Sequence, residues 1–80
     1  MYYVYILKSV SGDSYYVGYT ENLKRRLFEH KSGSNASTKK YKDLELVYFE
    51  EYKLADIALK REKFLKSGNG RRVLKLKGIV

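Results

Sequence analysis

Two runs of strand-forming residues separated by a short turn limit the first part of this chain to a β-hairpin. The runs are Y-Y-V-Y-I-L at residues 2–7 and Y-Y-V-G-Y at residues 15–19, and aromatic and β-branched residues of this kind favour strands. The S-G-D segment at residues 11–13 supplies the flexible, self-capping backbone that a tight reversal needs. We therefore expect two antiparallel strands, with Gly18 marking a bulge or the close approach of another group.

A helix is predicted directly after the hairpin, near residues 21–32. Thr20 is expected to cap its start, and Glu21 places a carboxylate at the positive end of the helix dipole. Leu23 and Leu27 fall on one side of the helix at about 100° per residue. That side is therefore expected to be buried.

Two cationic side chains border this buried side. Arg26 and His30 are four residues apart, so they stack on the same flank of the helix. The flank lies beside the strand that carries Tyr16 and Gly18. A single histidine is more often a surface group, but this histidine shares a face with an arginine.

The remaining segments complete a predicted α+β fold. Residues 44–51 predict a third strand with both faces partly covered, and residues 54–66 predict a second helix. The apolar side of that helix consists of Leu54, Ile57, Ala58, Phe64 and Leu65. Gly68 is expected to end it in a left-handed conformation, and residues 71–77 form either a short last helix or a frayed tail. The prediction is one domain over residues 1–80, a three-stranded antiparallel sheet flanked by helices.

The charge balance favours a polyanionic partner. The chain has 17 Lys and Arg against 9 Asp and Glu, a formal net charge of +8, and each phosphate that a cation neutralises releases counterions. The predicted DNA contacts are Lys39, Lys40, Lys42, Arg71 and Arg72. The alternative is that these cations are ordinary solvated surface charges.

The composition also bears on location. The chain has no cysteine, which excludes disulfides and thiolate metal sites and favours a reducing compartment. A strand pattern follows Met1 directly, so neither a signal peptide nor a membrane span is expected. The prediction is a cytoplasmic protein without membrane contact.

Other charged and aromatic residues are expected to have structural roles. Glu50 and Glu51, at the end of the third strand, should pair with surplus lysines rather than hold a metal. Arg61 should lie across apolar surface with its head group in water. The tyrosines expected only to fill the sheet are Tyr2, Tyr3, Tyr15, Tyr48 and Tyr52.

The ordered set of hairpin, glycine, arginine and later glutamate resembles the GIY-YIG nuclease superfamily in its small single-domain form, and with it the catalytic domain of the excision-repair endonuclease. Y-V-Y at residues 3–5 stands where the superfamily has its first triplet, and Y-V-G at residues 16–18 where it has its second. Tyrosine replaces the glycine of the first triplet, and valine replaces isoleucine in both. Gly18 is the structural glycine of the motif. The whole set is much more specific than either triplet alone.

The resemblance implies five catalytic residues, which are Tyr5, Tyr16, Arg26, His30 and Glu62. It implies that Tyr16 activates the attacking water, that Arg26 stabilises the phosphate in the transition state and that His30 orients the water or the phosphate. Glu62 would be the metal ligand for one Mg²⁺ or Mn²⁺ ion, with the substrate phosphate completing the coordination shell. Without the resemblance, an ion pair with a neighbouring cation is the simpler explanation of Glu62.

The function that the resemblance implies is metal-dependent endonucleolytic cleavage of duplex or branched DNA, in DNA repair or recombination. Two alternatives stay open. One is a nucleic-acid-binding module without turnover, because aromatic strands and positive charge also suit an RNA-recognition sheet, although that fold needs four strands and only three are predicted. The other is a small protein-interaction domain. Because a lone domain has little surface for choosing a DNA structure, either a homodimer or a protein partner supplies specificity, or the domain cuts with little specificity.

Overall fold

The structure, a computed structural model, describes residues 1–10, 14–31 and 44–80. Its elements are β1 (Tyr2–Ser9), β2 (Tyr15–Thr20), α1 (Leu23–Lys31), β3 (Leu44–Tyr52), α2 (Ala55–Lys66) and α3 (Gly68–Leu76). The predicted α+β fold with a three-stranded antiparallel sheet is confirmed, and the C-terminal basic segment is a helix rather than a frayed tail. The expected hairpin turn at residues 11–13 lies outside the described residues. Within the described ranges, no helix is long and apolar enough to cross a bilayer.

Strand β1 forms the centre of the sheet, with β2 on one side and β3 on the other. Both neighbours run antiparallel to it. A central strand covered on both faces has no solvent-facing side, and Val4, Tyr5 and Ile6 are accordingly fully buried. The edge strand β3 instead alternates between half-buried and exposed residues.

A register irregularity divides β3 between the two faces of the sheet. Ile6 of β1 pairs with Tyr48, but Leu7 pairs with Leu46, which leaves Val47 as an extra residue. Tyr48 packs against the core on the face that α2 covers. Leu46 lies on the opposite face, where it lines a cavity with Leu7.

The main core lies between one face of the sheet and helices α2 and α3. Its buried members are Val4, Ile6, Val17, Ala58, Leu65 and Leu74. Helix α1 lies against the opposite face, where Leu27 lines the same cavity as Leu7. Leu23 and Leu27 are half-buried, so α1 covers this face only in part.

The N-terminal cap of α1 differs from the prediction. The helix begins at Leu23, and Asn22 caps it: its side-chain Oδ1 accepts a hydrogen bond from the Arg25 amide at 3.0 Å, and its carbonyl accepts one from the Arg26 amide at 3.0 Å. The Thr20 hydroxyl instead accepts a hydrogen bond from the Asn22 amide at 3.1 Å. Thr20 therefore stabilises the turn before the helix, whereas the Asn22 side chain caps the helix by accepting a hydrogen bond from an amide of its first turn.

The expected left-handed cap at Gly68 is wrong. Ser67 joins α2 to α3 in an extended conformation, with φ −77° and ψ 169°, and its hydroxyl accepts a hydrogen bond from the Gly70 amide at 3.3 Å. Among the described residues, Gly78 is the glycine with positive φ, at 73°. A serine that caps the next helix lets the chain turn without a left-handed residue, which is why α3 starts directly at Gly68.

The predicted apolar side of the second helix is only partly right. Ala58 and Leu65 are fully buried, but Leu54, Ile57 and Phe64 are exposed. Helix α2 therefore contacts the sheet along a narrow strip that includes a small side chain. Leu54, Ile57 and Phe64 lie outside that strip.

Candidate active site

Tyr5 stands at the centre of the site. Its side chain is fully buried, and its partner across the β1–β2 pair is Gly18. A Cβ at position 18 would lie 2.3 Å from Cζ of Tyr5 and 2.4 Å from its hydroxyl oxygen. Gly18 therefore allows the close approach of the tyrosine ring, one of the two roles predicted for it, and the β1–β2 register has no bulge there.

Three aromatic rings, those of Tyr5, Tyr16 and His30, form what we term the ring cluster. The Tyr5 hydroxyl and Nε2 of His30 are 2.9 Å apart in a buried hydrogen bond. The Tyr16 ring centroid lies 6.2 Å from that of Tyr5 and 5.3 Å from that of His30. Helix α1 and the hairpin thus bring together three of the predicted catalytic residues.

The surroundings of His30 favour its neutral form. Burial lowers the pKa of the imidazole, and the positive charge of Arg26 lowers it further, while Glu29 acts in the opposite direction. A neutral imidazole can accept a hydrogen bond from the Tyr5 hydroxyl or donate one to its oxygen, depending on the tautomer. The hydrogen bond is therefore compatible with either tautomer of a neutral imidazole.

Tyr5 is held as the neutral phenol. Burial raises the pKa of its hydroxyl, and the neighbouring Tyr16 raises it further, whereas the charge of Arg26 lowers it in part. A buried neutral phenol is a poor base at neutral pH. Tyr16 is only half-buried, so of the two tyrosines it has the better access to solvent water.

Arg26 extends from α1 beside the ring cluster. Its Nε lies 3.6 Å from Oε1 of Glu29, and both side chains are about one-third exposed, at 32% and 35%. This distance exceeds that of a good hydrogen bond, so the ion pair is weak. The guanidinium can therefore exchange Glu29 for a phosphate oxygen at little cost.

Glu62 approaches from α2, four residues after the buried Ala58. Its side chain is 18% exposed, and one carboxylate oxygen lies 3.5 Å from Nζ of Lys66. Burial is the main cause of the raised pKa of Tyr5 and of Tyr19, and the charge of Glu62 makes a smaller contribution than Tyr16 does at Tyr5 or Glu21 does at Tyr19. The ion pair given above as the simpler explanation is therefore present, and the same carboxylate also acts on the tyrosines electrostatically.

The donor set at Glu62 fits a hard divalent cation of the magnesium type. In the part of the chain that the structure describes, no three His, Cys, Asp or Glu side chains cluster as a complete protein site. Mg²⁺ is commonly held by one or two carboxylates, with waters and substrate phosphates as the other ligands. A single, partly exposed carboxylate near neutral phenols is compatible with that mode.

Two of the five predicted DNA contacts can be placed. Arg71 and Arg72 are exposed on α3. Nε of Arg71 lies 3.3 Å from the Tyr15 hydroxyl, and its guanidinium carbon lies 6.0 Å from the Tyr15 ring centroid. The other three, Lys39, Lys40 and Lys42, lie outside the described residues.

A charged network at α2 differs from the predicted roles of its members. Glu50 accepts hydrogen bonds from Nε and Nη2 of Arg61, at 2.9 and 3.1 Å, instead of pairing with lysines. The hydroxyls of Tyr48 and Tyr52 also donate to it, both at 2.5 Å. Arg61 lies 5.3 Å from the Phe64 ring centroid, so its head group is not simply in water. The available signal was the alternation Tyr48–Glu50–Tyr52, which places all three side chains on one face of the strand.

Known proteins are similar to this chain over most of its length. The family model described as the GIY-YIG catalytic domain matches residues 1–75. A UPF0213 protein of Staphylococcus saprophyticus is 37% identical over 76 residues, covering 94% of this chain and 92% of that protein. A UPF0213 protein of Clostridium perfringens is 40% identical over 67 residues, covering 82% of this chain and 71% of that protein. The solution NMR structure of a UPF0213 protein from Bacillus halodurans is 34% identical, with a TM-score of 0.57, and the match covers 98% of this chain and 87% of that one.

Proposed function

This chain belongs to the GIY-YIG catalytic-domain family, and we propose that it is a divalent-metal-dependent endonuclease that hydrolyses DNA phosphodiester bonds. The observation that carries the proposal is the ring cluster with a cation beside it. The Tyr5 hydroxyl is bonded to a buried imidazole at 2.9 Å, and the charge of Arg26 acts on both groups. A site that combines neutral proton carriers with a loosely held guanidinium suits the transfer of a proton next to a phosphate.

Each residue of the ring cluster then has a distinct task. Tyr16, half-buried at the edge of the cluster, positions the attacking water and, as the phenolate, takes its proton. Tyr5 and His30 form the hydrogen-bonded pair behind it and keep their positions through burial. Arg26 leaves Glu29 and binds the scissile phosphate with its planar donors, which match phosphate oxygens.

Glu62 is the residue that would hold the divalent cation. When bound, such an ion stabilises the negative charge that develops on the phosphate and on the leaving oxygen. Lys66 balances the carboxylate charge in the protein itself, since their side-chain atoms lie 3.5 Å apart. An exposed lysine can swing away without breaking a buried contact, so the carboxylate remains available.

The net charge of +8 and the exposed Arg71 and Arg72 support DNA, duplex or branched, as the substrate. DNA repair or recombination in the cytoplasm is the process we propose for it. A homodimer or a protein partner would supply the specificity that one small domain lacks.

A nicking assay tests this proposal. Purified protein is incubated with supercoiled, branched and single-stranded DNA in Mg²⁺, Mn²⁺ or EDTA, and we expect metal-dependent cleavage. Glu62→Ala should abolish cleavage while DNA affinity persists or rises, because a negative charge has left a basic surface. Glu51→Gln, which neutralises an exposed carboxylate on β3, is the control. An inactive parent that binds DNA tightly would favour the binding-module alternative, and a folded Glu62→Ala protein that cuts at the parental rate would refute the site.

A further inference from the structure

The carboxylate of Glu50 is saturated with hydrogen bonds. Oε1 accepts from the Tyr52 hydroxyl and from Nε of Arg61, and Oε2 accepts from the Tyr48 hydroxyl and from Nη2 of Arg61. A carboxylate offers about four acceptor sites. Four donors leave none for a metal ion or a water, so Glu50 is not itself a ligand or a base.

The charge state of this network is well defined. Burial alone would raise the pKa of Glu50, but the hydrogen bonds from Arg61, Tyr48 and Tyr52 outweigh it and hold the pKa below its usual range. Burial and the bond to Glu50 raise the pKa of the Tyr52 hydroxyl to about 12. These shifts favour an ion pair between Arg61 and Glu50 with two phenol donors.

Helix α2 also contacts β1, β2, β3 and α3, but its two buried side chains are apolar, and apolar contacts have no directional preference. Its buried residues are Ala58 and Leu65, and an alanine offers little surface to resist sliding or rolling. Leu54 caps the helix without a side-chain hydrogen bond. The two-pronged bond from Arg61 to Glu50 is thus a directional contact midway along the helix, between the two buried residues.

Glu62 immediately follows Arg61 on α2, so any rotation of the helix about its own axis also moves the Glu62 carboxylate. A helix with its side chains has a radius of about 6 Å, so rolling by about 20° would move the carboxylate by about 2 Å. Metal–ligand distances are held within about 0.2 Å. A small roll would therefore displace Glu62 by far more than a metal site tolerates.

We propose that Glu50 and Arg61 are positioning residues of the cleavage site: their two-pronged bond sets the rotation of α2 and so orients Glu62 toward the ring cluster. The inference rests on the proposed cleavage function for its consequence. The orientation of α2, however, can be measured in the protein alone.

Two conservative variants test the proposal. Arg61→Lys keeps the charge but loses the planar pair of donors, and Glu50→Gln keeps the shape but loses the charge. The matched controls are Arg25→Lys, at a side chain 69% exposed on α1, and Glu51→Gln. If either test variant fails to fold, Tyr48→Phe and Tyr52→Phe remove one hydrogen bond each and should give smaller effects of the same kind.

The first readout is the orientation of α2 relative to β1 and β2, from residual dipolar couplings of the metal-free protein. We expect a roll of several degrees in Arg61→Lys and Glu50→Gln and none in the controls. The second readout is the Mn²⁺ concentration for half-maximal cleavage, which should rise about tenfold or more, as for other outer-shell residues of metal sites. DNA affinity in EDTA should stay within twofold of the parent.

An unchanged α2 orientation in both test variants would overturn the proposal, as would a rolled helix with the parental Mn²⁺ requirement. If the parent cuts no DNA with any metal, the proposed function fails. The dipolar couplings still show in that case whether Glu50 and Arg61 orient the helix, so the two failures are distinguishable.

Discussion

Gly18→Ala is the substitution whose effect follows most directly from the structure. The added Cβ would lie 2.3 Å from Cζ of Tyr5, so the ring would have to withdraw by about 1.1 Å to reach an ordinary van der Waals contact, which begins at 3.4 Å. Tyr5 is fully buried, and its hydroxyl is bonded to His30 at 2.9 Å. The ring therefore cannot move without straining the core and stretching that hydrogen bond.

The expected loss in the free energy of unfolding has two main contributions. Overpacking a core by one methyl costs about 1–3 kcal/mol, and loss of a buried hydrogen bond adds about 1 kcal/mol. Replacing glycine also restricts the unfolded chain, which offsets about 0.4–1 kcal/mol. The net loss is about 2 kcal/mol, which for a domain of this size lowers Tm by about 10 °C.

Thermal unfolding followed by circular dichroism measures this loss. Gly68→Ala is the matched control, because a Cβ at that position meets nothing within 4 Å, and it should leave Tm unchanged or slightly higher. Equal Tm values for the two variants would show that Tyr5 does not lie over Gly18 as described. An intact Tyr5–His30 bond in Gly18→Ala, seen in the imidazole NMR signals, would contradict the same reasoning.

Two further substitutions separate chemistry from folding in the proposed nuclease. Arg26→Ala should lower the cleavage rate by about 10²–10³-fold, the usual loss when one preorganised charge partner is removed, with little change in Tm because its ion pair with Glu29 is weak; an unchanged rate would exclude Arg26 from the site. Tyr16→Phe keeps the ring contacts and removes only the hydroxyl, so we expect cleavage to be lost while Tm and DNA affinity, measured by fluorescence anisotropy, are retained. Parental activity in Tyr16→Phe would assign the water to another group.

The parts of the fold that the sequence predicts well are those set by neighbouring residues. The hairpin strands follow from tyrosine and valine propensity, and the close approach at Gly18 follows from a glycine inside a strand. The helix flank that carries Arg26 and His30 follows from a spacing of four residues. Local rules thus place Arg26 and His30 beside the strand of Tyr16, whereas Tyr5 was assigned to the site only through the family resemblance.

The parts that the sequence did not predict depend on partners distant in the chain or on competing caps. Glu50 and Arg61 are eleven residues apart, and their pairing follows only once α2 lies over β3. Thr20 and Asn22 both have capping side chains, and hydrogen-bond geometry rather than residue type decides that Asn22 is the cap. The apolar side of α2 was predicted too wide because a helix that docks through an alanine can leave larger residues such as Ile57 exposed.

His30 makes the stability of this protein depend on pH in a defined direction. Burial and the charge of Arg26 lower the pKa of its imidazole in the folded state, with Glu29 opposing them, and the unfolded value is about 6.5. Below about pH 6.5 the unfolded chain therefore binds a proton that the folded protein does not, so the free energy of unfolding falls as the pH decreases from there. The fall ends once the pH passes below the lowered pKa of the folded state.

The chain has one histidine, so His30→Gln isolates this effect. We expect the parent to lose stability between about pH 7 and pH 5 in denaturant titrations, and the variant to lose less over the same range, although it is less stable throughout. Contributions from the Met1 amine and the carboxylates are common to both proteins and cancel in the comparison. An NMR titration of the imidazole gives the folded-state pKa directly. An imidazole that titrates above its ordinary value, or equal pH slopes for parent and variant, would contradict a buried neutral histidine bonded to Tyr5.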